Sequence, residues 1–369
     1  MTARNTDHLN SKIFLDPNGE QAIARYDKVK YPRIEKMLRN QIGQFWVPEE
    51  IDLSNDRADF RSLSKADEHI FTSNLYRQIV LDTKQGKAPS EMFLPIVTNH
   101  ETEAFVGAWS FFESIHNRSY THIIRNVYPD PGVVFDGVLD IEEVADCAQS
   151  ISYYYDALGE HNIQYALTGN VTYEHKKAVW RALVAVSALE GLRFYVSFAC
   201  SWNFAQLKKM MGNANIIRLI CRDENVHLML TQYLLNVLPK DDHDFATISK
   251  ELEGEATQIY IDVVEQEKDW ARYLFQYGSM IGLNERICGQ YIEWLCNKRM
   301  SAINLRSPYK GDITSNPLPW TEEWIGSASV QNANQENENT QYIIGGIHPD
   351  ADKIDVSKDF NIDSMLGEL

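Results

Sequence analysis

The chain has no Cys-x-x-Cys pair, no dense run of lysine and arginine, and no long apolar stretch free of charge. Its five cysteines, Cys147, Cys200, Cys221, Cys288 and Cys296, are odd in number and scattered. That excludes a zinc ribbon and argues against a disulfide frame. Cys200 and Cys221 lie inside apolar stretches, the setting of buried reduced thiols, so the cytoplasm is the expected compartment. The first ten residues are polar and hold no apolar signal region. The longest apolar candidate, Leu183 to Cys200, carries Glu190 and Arg193 and does not qualify as a membrane span. A net charge of −17 without a basic patch disfavours nucleic acid and anionic membranes as partners. No Walker-type loop, dinucleotide fingerprint or solenoid repeat is present.

What the chain does have is length and apolar mass. Its 369 residues are 44% hydrophobic and 11% aromatic, enough for a large buried core. Apolar residues recur at helical spacing, and breakers mark the ends. Helices are expected over Tyr31 to Trp46, from Ser64 through Asp82 to near Gly86, and from Pro95 to Ile124. More are expected over Ile141 to Leu167, Glu174 to Phe204, and Asn213 to Leu238 with Pro239 closing it. Two further runs span Phe245 to Tyr277 and Asn284 to Ala302. Strand signal is scarce; short β segments could fit only between Arg306 and Trp320. From Ser327 to Thr340 the composition turns to Ser, Asn, Gln and Glu, too polar to order itself. The expected organisation is therefore one helical domain over 1–324, a flexible linker over 325–341, and a tail over 342–369. The tail reads either as a disordered terminus or as a docking peptide that orders on a partner.

Two Glu-x-x-His motifs carry the chemistry: Glu113-Ser-Ile-His116 and Glu224-Asn-Val-His227. This spacing puts a carboxylate and an imidazole on one helical face. One such motif arises by chance in a chain with ten histidines; two on separate apolar helices match a dimetal carboxylate bundle, completed by one acid from each of two further helices. Glu190 and Asp82 are the candidates, because each lies in an apolar helix where an unpaired charge is costly. Glu190 is also open to an ion pair with Arg193, and Asp82 to exposure near a helix end. Tyr120 lies four residues after His116 and shares its face; it could be a core tyrosine or a redox-active one. Phe194, Phe198 and Ile220 stand at helical spacing from Glu190 and Glu224, as plain core or as a dry wall.

The stretches Trp109-Ser-Phe-Phe-Glu-Ser-Ile-His-Asn-Arg-Ser-Tyr-Thr-His-Ile-Ile-Arg-Asn126, Ala188-Leu-Glu-Gly-Leu-Arg-Phe-Tyr-Val-Ser-Phe-Ala-Cys200 and Arg222-Asp-Glu-Asn-Val-His227 resemble the small (beta) subunit of class I ribonucleotide reductase. The resemblance runs from Ala24-Arg-Tyr-Asp to the tail and is nearest the di-iron, tyrosyl-radical subgroup. It implies an all-α, ferritin-like helical bundle with extra helices, and a homodimer. It implies two irons, with manganese an alternative, held by Asp82, Glu113, His116, Glu190, Glu224 and His227. The resemblance makes Tyr120 the site of a stable radical generated with oxygen, and Phe194, Phe198 and Ile220 its shielding pocket. Trp46, Asp223 and Tyr342 match a radical-transfer path to the large (alpha) subunit, which binds the ribonucleotides and on which the tail would dock. The product class is the deoxyribonucleotides needed for DNA replication.

Three rivals share parts of this pattern. Another di-iron oxidase would share the ligands but not the tail tyrosine, and the oxidase relatives typically carry Glu at the Asp82 position. An iron-storage bundle would be about half as long. A metal-free helical scaffold would leave Glu190 and the paired motifs without a purpose.

Overall fold

The computed structural model describes residues 5–138, 141–309, 311 and 313–325. It is built from helices α1 (Pro32–Gly43), α2 (Asp56–Arg61), α3 (Lys65–Gln85), α4 (His100–Val127), α5 (Pro131–Asp136), α6 (Glu142–Thr168), α7 (Tyr173–Ala188), α8 (Tyr195–Gln206), α9 (Met211–Asp241), α10 (His243–Glu251), α11 (Glu253–Leu274), α12 (Glu285–Ala302) and α13 (Thr321–Ile325). No strand occurs among the described residues; pairing is limited to isolated bridges such as Phe14 with Val97. The possible β segments after Arg306 are irregular chain.

Capping residues fix several helix starts. Ser64, Asn99, Thr172 and Asn284 each accept a hydrogen bond from a first-turn backbone N–H of α3, α4, α7 and α12. Gly169, at φ +69°, ends α6 in the left-handed conformation that a side chain would disfavour. Several expected boundaries move: the run from Pro95 becomes α-helical only at His100, and the run toward Trp46 ends at Gly43. Pro239 sits inside α9, which continues to Asp241, because a proline in the last turn forfeits little of the ladder. The run from Phe245 breaks at Leu252, which turns inward and is buried. The run from Glu174 is interrupted by a π turn over Leu189–Arg193.

Tyr173–Gln206 is long and apolar enough in composition to cross a membrane, but its most apolar stretch is wholly buried inside the protein. A helix enclosed on all sides needs no polar face. Helices α3 and α9 pack against this axis and α4 packs against both of them, α1 lies on α4 and α9, and α6 lies on α3 and α7. Residues facing the centre of this group come from distant parts of the chain, and nearly all are inaccessible to solvent.

Asp56 of α2 anchors the start of α9. Its two carboxylate oxygens accept from the backbone N–H groups of Gly212 (3.0 Å) and Asn213 (2.6 Å). A negative group at a helix N-terminus is favourable there. At the far end of the described chain, Trp324 of α13 stacks on buried Trp202 of α8, ring centres 5.9 Å apart and 12° from parallel.

Candidate metal centre

Each of the six expected ligands reaches the bundle centre from a different turn. Asp82 comes from α3, Glu113 and His116 from α4, Glu190 from the π turn, and Glu224 and His227 from α9. All six are completely buried. They form two overlapping groups whose ligand atoms lie within 4.8 Å of one another: Asp82, Glu113, His116 and Glu224, and Glu113, Glu190, Glu224 and His227. Glu113 and Glu224 belong to both. Two positions sharing two carboxylates, each with one further acid and one imidazole, is the geometry of a bridged metal pair.

The close approaches support it. His116 Nδ1 lies 3.1 Å from Glu224 and 3.4 Å from Glu113. His227 Nδ1 lies 3.1 Å from Glu224 and 3.2 Å from Glu113. Yet both Asp82 oxygens, one oxygen each of Glu113, Glu190 and Glu224, and His116 Nδ1 have no hydrogen-bond partner. Buried polar atoms without partners are rare and costly. Four carboxylates carry four negative charges, which two divalent cations would balance with both imidazoles neutral. The donor set therefore fits a pair of metal ions, and its oxygen-rich character suits iron or manganese.

Electrostatics without cations are correspondingly distorted. Burial, aided by neighbouring glutamates, holds Asp82 and Glu190 well above the ordinary carboxylate range. Burial would also raise Glu224, but Glu190 and His116 outweigh it and hold Glu224 low. Burial opposes charge on His116 and His227, and the surrounding carboxylates overcome it and raise both.

The other expected site residues fall as follows. Tyr120 is fully buried, and burial followed by the Asp82 charge holds its phenol well above the usual value. Its hydroxyl has no hydrogen-bond partner. Phe194, Phe198 and Ile220 are fully buried, the two rings stacked 5.5 Å apart. Trp46 Nε1 donates to Asp223 Oδ2 at 2.8 Å, and the same oxygen lies 3.2 Å from His116 Nε2. Asp223 is buried, not at the surface where an aspartate ordinarily sits. Arg193 does not pair with Glu190; it reaches Cys147, Ser150 and Gln266 instead. Tyr342, the linker beyond residue 325 and the tail lie outside the described residues.

Sequence reasoning missed four neighbours. Gln41 Nε2 lies 2.6 Å from His227 Nε2, and Trp109 Nε1 donates to Glu113 at 3.0 Å. Gln85 Nε2 donates to Glu190 at 2.6 Å, and its carbonyl accepts from the Tyr155 hydroxyl. Same-face spacing would have flagged Trp109, four residues before Glu113, and Gln85, three after Asp82.

Comparison with known proteins agrees with this architecture. A family model described as "Ribonucleotide reductase, small chain" matches residues 24–317. The ribonucleoside-diphosphate reductase subunit beta of Buchnera aphidicola subsp. Baizongia pistaciae is 47% identical, covering 91% of this chain and 93% of the relative. Ribonucleoside-diphosphate reductase 1 subunit beta of Escherichia coli O157:H7 is 45% identical, covering 91% and 92%. The ribonucleotide reductase R2 subunit from Clostridium botulinum shares the fold, with a TM-score of 0.76 at 24% identity over 88% of this chain and 98% of that one.

Proposed function

The chain belongs to the ribonucleotide reductase small-chain family, and from that premise we propose that it uses a buried di-iron centre and oxygen to oxidise Tyr120 to a stable radical. As a ribonucleoside-diphosphate reductase beta subunit it is part of an oxidoreductase, and its work is to supply a radical for converting ribonucleotides to deoxyribonucleotides. The observation that carries the reading is the pair of overlapping acid and histidine groups, two of whose members share α4 with Tyr120.

Asp82 and His116 would hold one metal, Glu190 and His227 the other, with Glu113 and Glu224 spanning both. When bound, the two irons would supply electrons to dioxygen and the oxidising power that takes one electron from tyrosine. The rest falls to the protein. Tyr120 would give up its hydroxyl proton with that electron, from a buried position where its phenol feels the Asp82 charge. Complete burial of Tyr120, Phe194, Phe198 and Ile220 keeps water and reductants from the radical. Asp223 orients His116 through its free ring nitrogen and links it to Trp46. That chain of contacts is the start of a path on which Tyr342 would relay the radical to the large subunit, with the tail over 342–369 docking there. A homodimer belongs to the same reading. So does a cytoplasmic setting, in which five buried thiols remain free.

The test is low-temperature electron paramagnetic resonance on protein loaded with ferrous iron and exposed to oxygen, beside Tyr120→Phe. A tyrosyl signal in the first and none in the second, at equal iron content, supports the assignment. A signal that persists in Tyr120→Phe moves the radical elsewhere. No signal with iron but one after manganese loading changes the metal.

A further inference from the structure

Gln85 ends α3, one turn beyond Asp82, and is fully buried. Its amide has a fixed sense. Only the nitrogen can donate to the Glu190 carboxylate, 2.6 Å away, so the carbonyl must face the other way. There it meets the hydroxyl of Tyr155, a buried residue of α6, which donates to it. Turning the amide over would set its oxygen against the Glu190 carboxylate, so Glu190 fixes the sense of the amide and Tyr155, donating to the carbonyl, holds it there. Tyr155 thus locks Gln85, and Gln85 ties one oxygen of Glu190 while the other stays unpaired.

Glu190 needs such a tether more than its partners do. It sits on the π turn Leu189–Arg193, where the regular helical ladder is interrupted, whereas Glu113, His116, Glu224 and His227 project from uninterrupted helix. Arg193, the neighbouring charge that could have steered Glu190, points to Cys147, Ser150 and Gln266. Resting on the dimetal reading above, we propose that Tyr155 and Gln85 are positioning residues that set the orientation of Glu190. They thereby govern the affinity of the metal position built from Glu113, Glu190, Glu224 and His227. The position containing Asp82 and His116 depends on them far less, because neither residue touches its ligands' side chains in the hydrogen-bond network.

The test is calorimetric titration of metal-free, full-length protein with manganese(II) alone, followed by its paramagnetic resonance spectrum. Wild type is expected to take up two ions per chain and to show the broad spectrum of a coupled pair. Tyr155→Phe removes one hydroxyl and should weaken one of the two sites by about ten- to a hundredfold, the usual scale for a lost outer contact. At one equivalent its spectrum should be that of isolated ions. Gln85→Leu should do the same, and the double variant should be no worse than Gln85→Leu, since both act through one contact. If wild type binds no pair, the dimetal reading fails. If wild type binds the pair and Tyr155→Phe binds both ions as tightly, the positioning role fails. Equal weakening of both sites with a lowered melting temperature would make the contact a packing feature and overturn the proposal as well.

Discussion

At the scale of single residues, burial and partner decide what a side chain can do, and a histidine far from the metal centre shows how. His175, in the first turn of α7, is buried with its Nε2 2.8 Å from Asn162 Oδ1. Burial, with His161 stacked beside it, pushes its pKa down to about 4. The unfolded chain, with an ordinary imidazole near 6.5, therefore takes up this proton first. Stability from neutral His175 is present above about pH 6.5 and drains away as pH falls toward 4. Urea midpoints at pH 7 and pH 5 should fall further apart for wild type than for His175→Gln; equal spacing would remove His175 as a source of acid sensitivity. The candidate ligands were legible at this scale because their chemistry is written in local spacing: Glu113 with His116, Glu224 with His227. Trp46 and Asp223 became visible only through resemblance, and Gln41 not at all. Its contact with His227 joins residues 186 positions apart, which no local pattern encodes.

At the scale of elements, caps and breakers announced most helices, while departures from regularity went unread. Ser64 and Gly169 mark their ends in the sequence as plainly as in the structure. The π turn beneath Glu190 has no such marker, since Leu189 to Arg193 contains nothing that a regular helix would refuse except Gly191. The break at buried Leu252 was equally silent, since no glycine or proline stands at that position to mark it. Close approach of α9 to the segment before α2 gives a sharper prediction. A Cβ on Gly212 would stand 2.5 Å from the Asp52 carbonyl oxygen and 2.7 Å from a Leu53 methyl. Gly212→Ala should therefore cost about 1–3 kcal/mol through overpacking, read as a lower urea midpoint. Gly254→Ala in α11 meets nothing within 4 Å and should instead gain up to about 1 kcal/mol from helix propensity. Equal responses of the two variants would contradict the tight seam at Gly212.

At the scale of the whole molecule, the six-ligand site fastens α3, α4, the π turn and α9 together at the centre of the bundle. A metal would bind only where those elements already converge, so occupancy and folding would be linked. Each site filled at a hundredfold excess over its Kd adds about 2.7 kcal/mol to folding. Chelation should lower Tm by several degrees, measured by calorimetry on loaded and stripped protein; coincident transitions would mean that the folded chain gains nothing from its metals. The all-helical architecture was legible from periodicity, but the mutual placement of the helices was not, because it depends on contacts between distant segments. The stack of Trp324 on Trp202 has a consequence on this largest scale. It pins the last described helix, α13, against buried α8. Tyr342 follows seventeen residues after Ile325, so it can never stray more than about 60 Å from that pivot. For a partner already bound to the folded body, Tyr342 would act at an effective concentration on the order of millimolar.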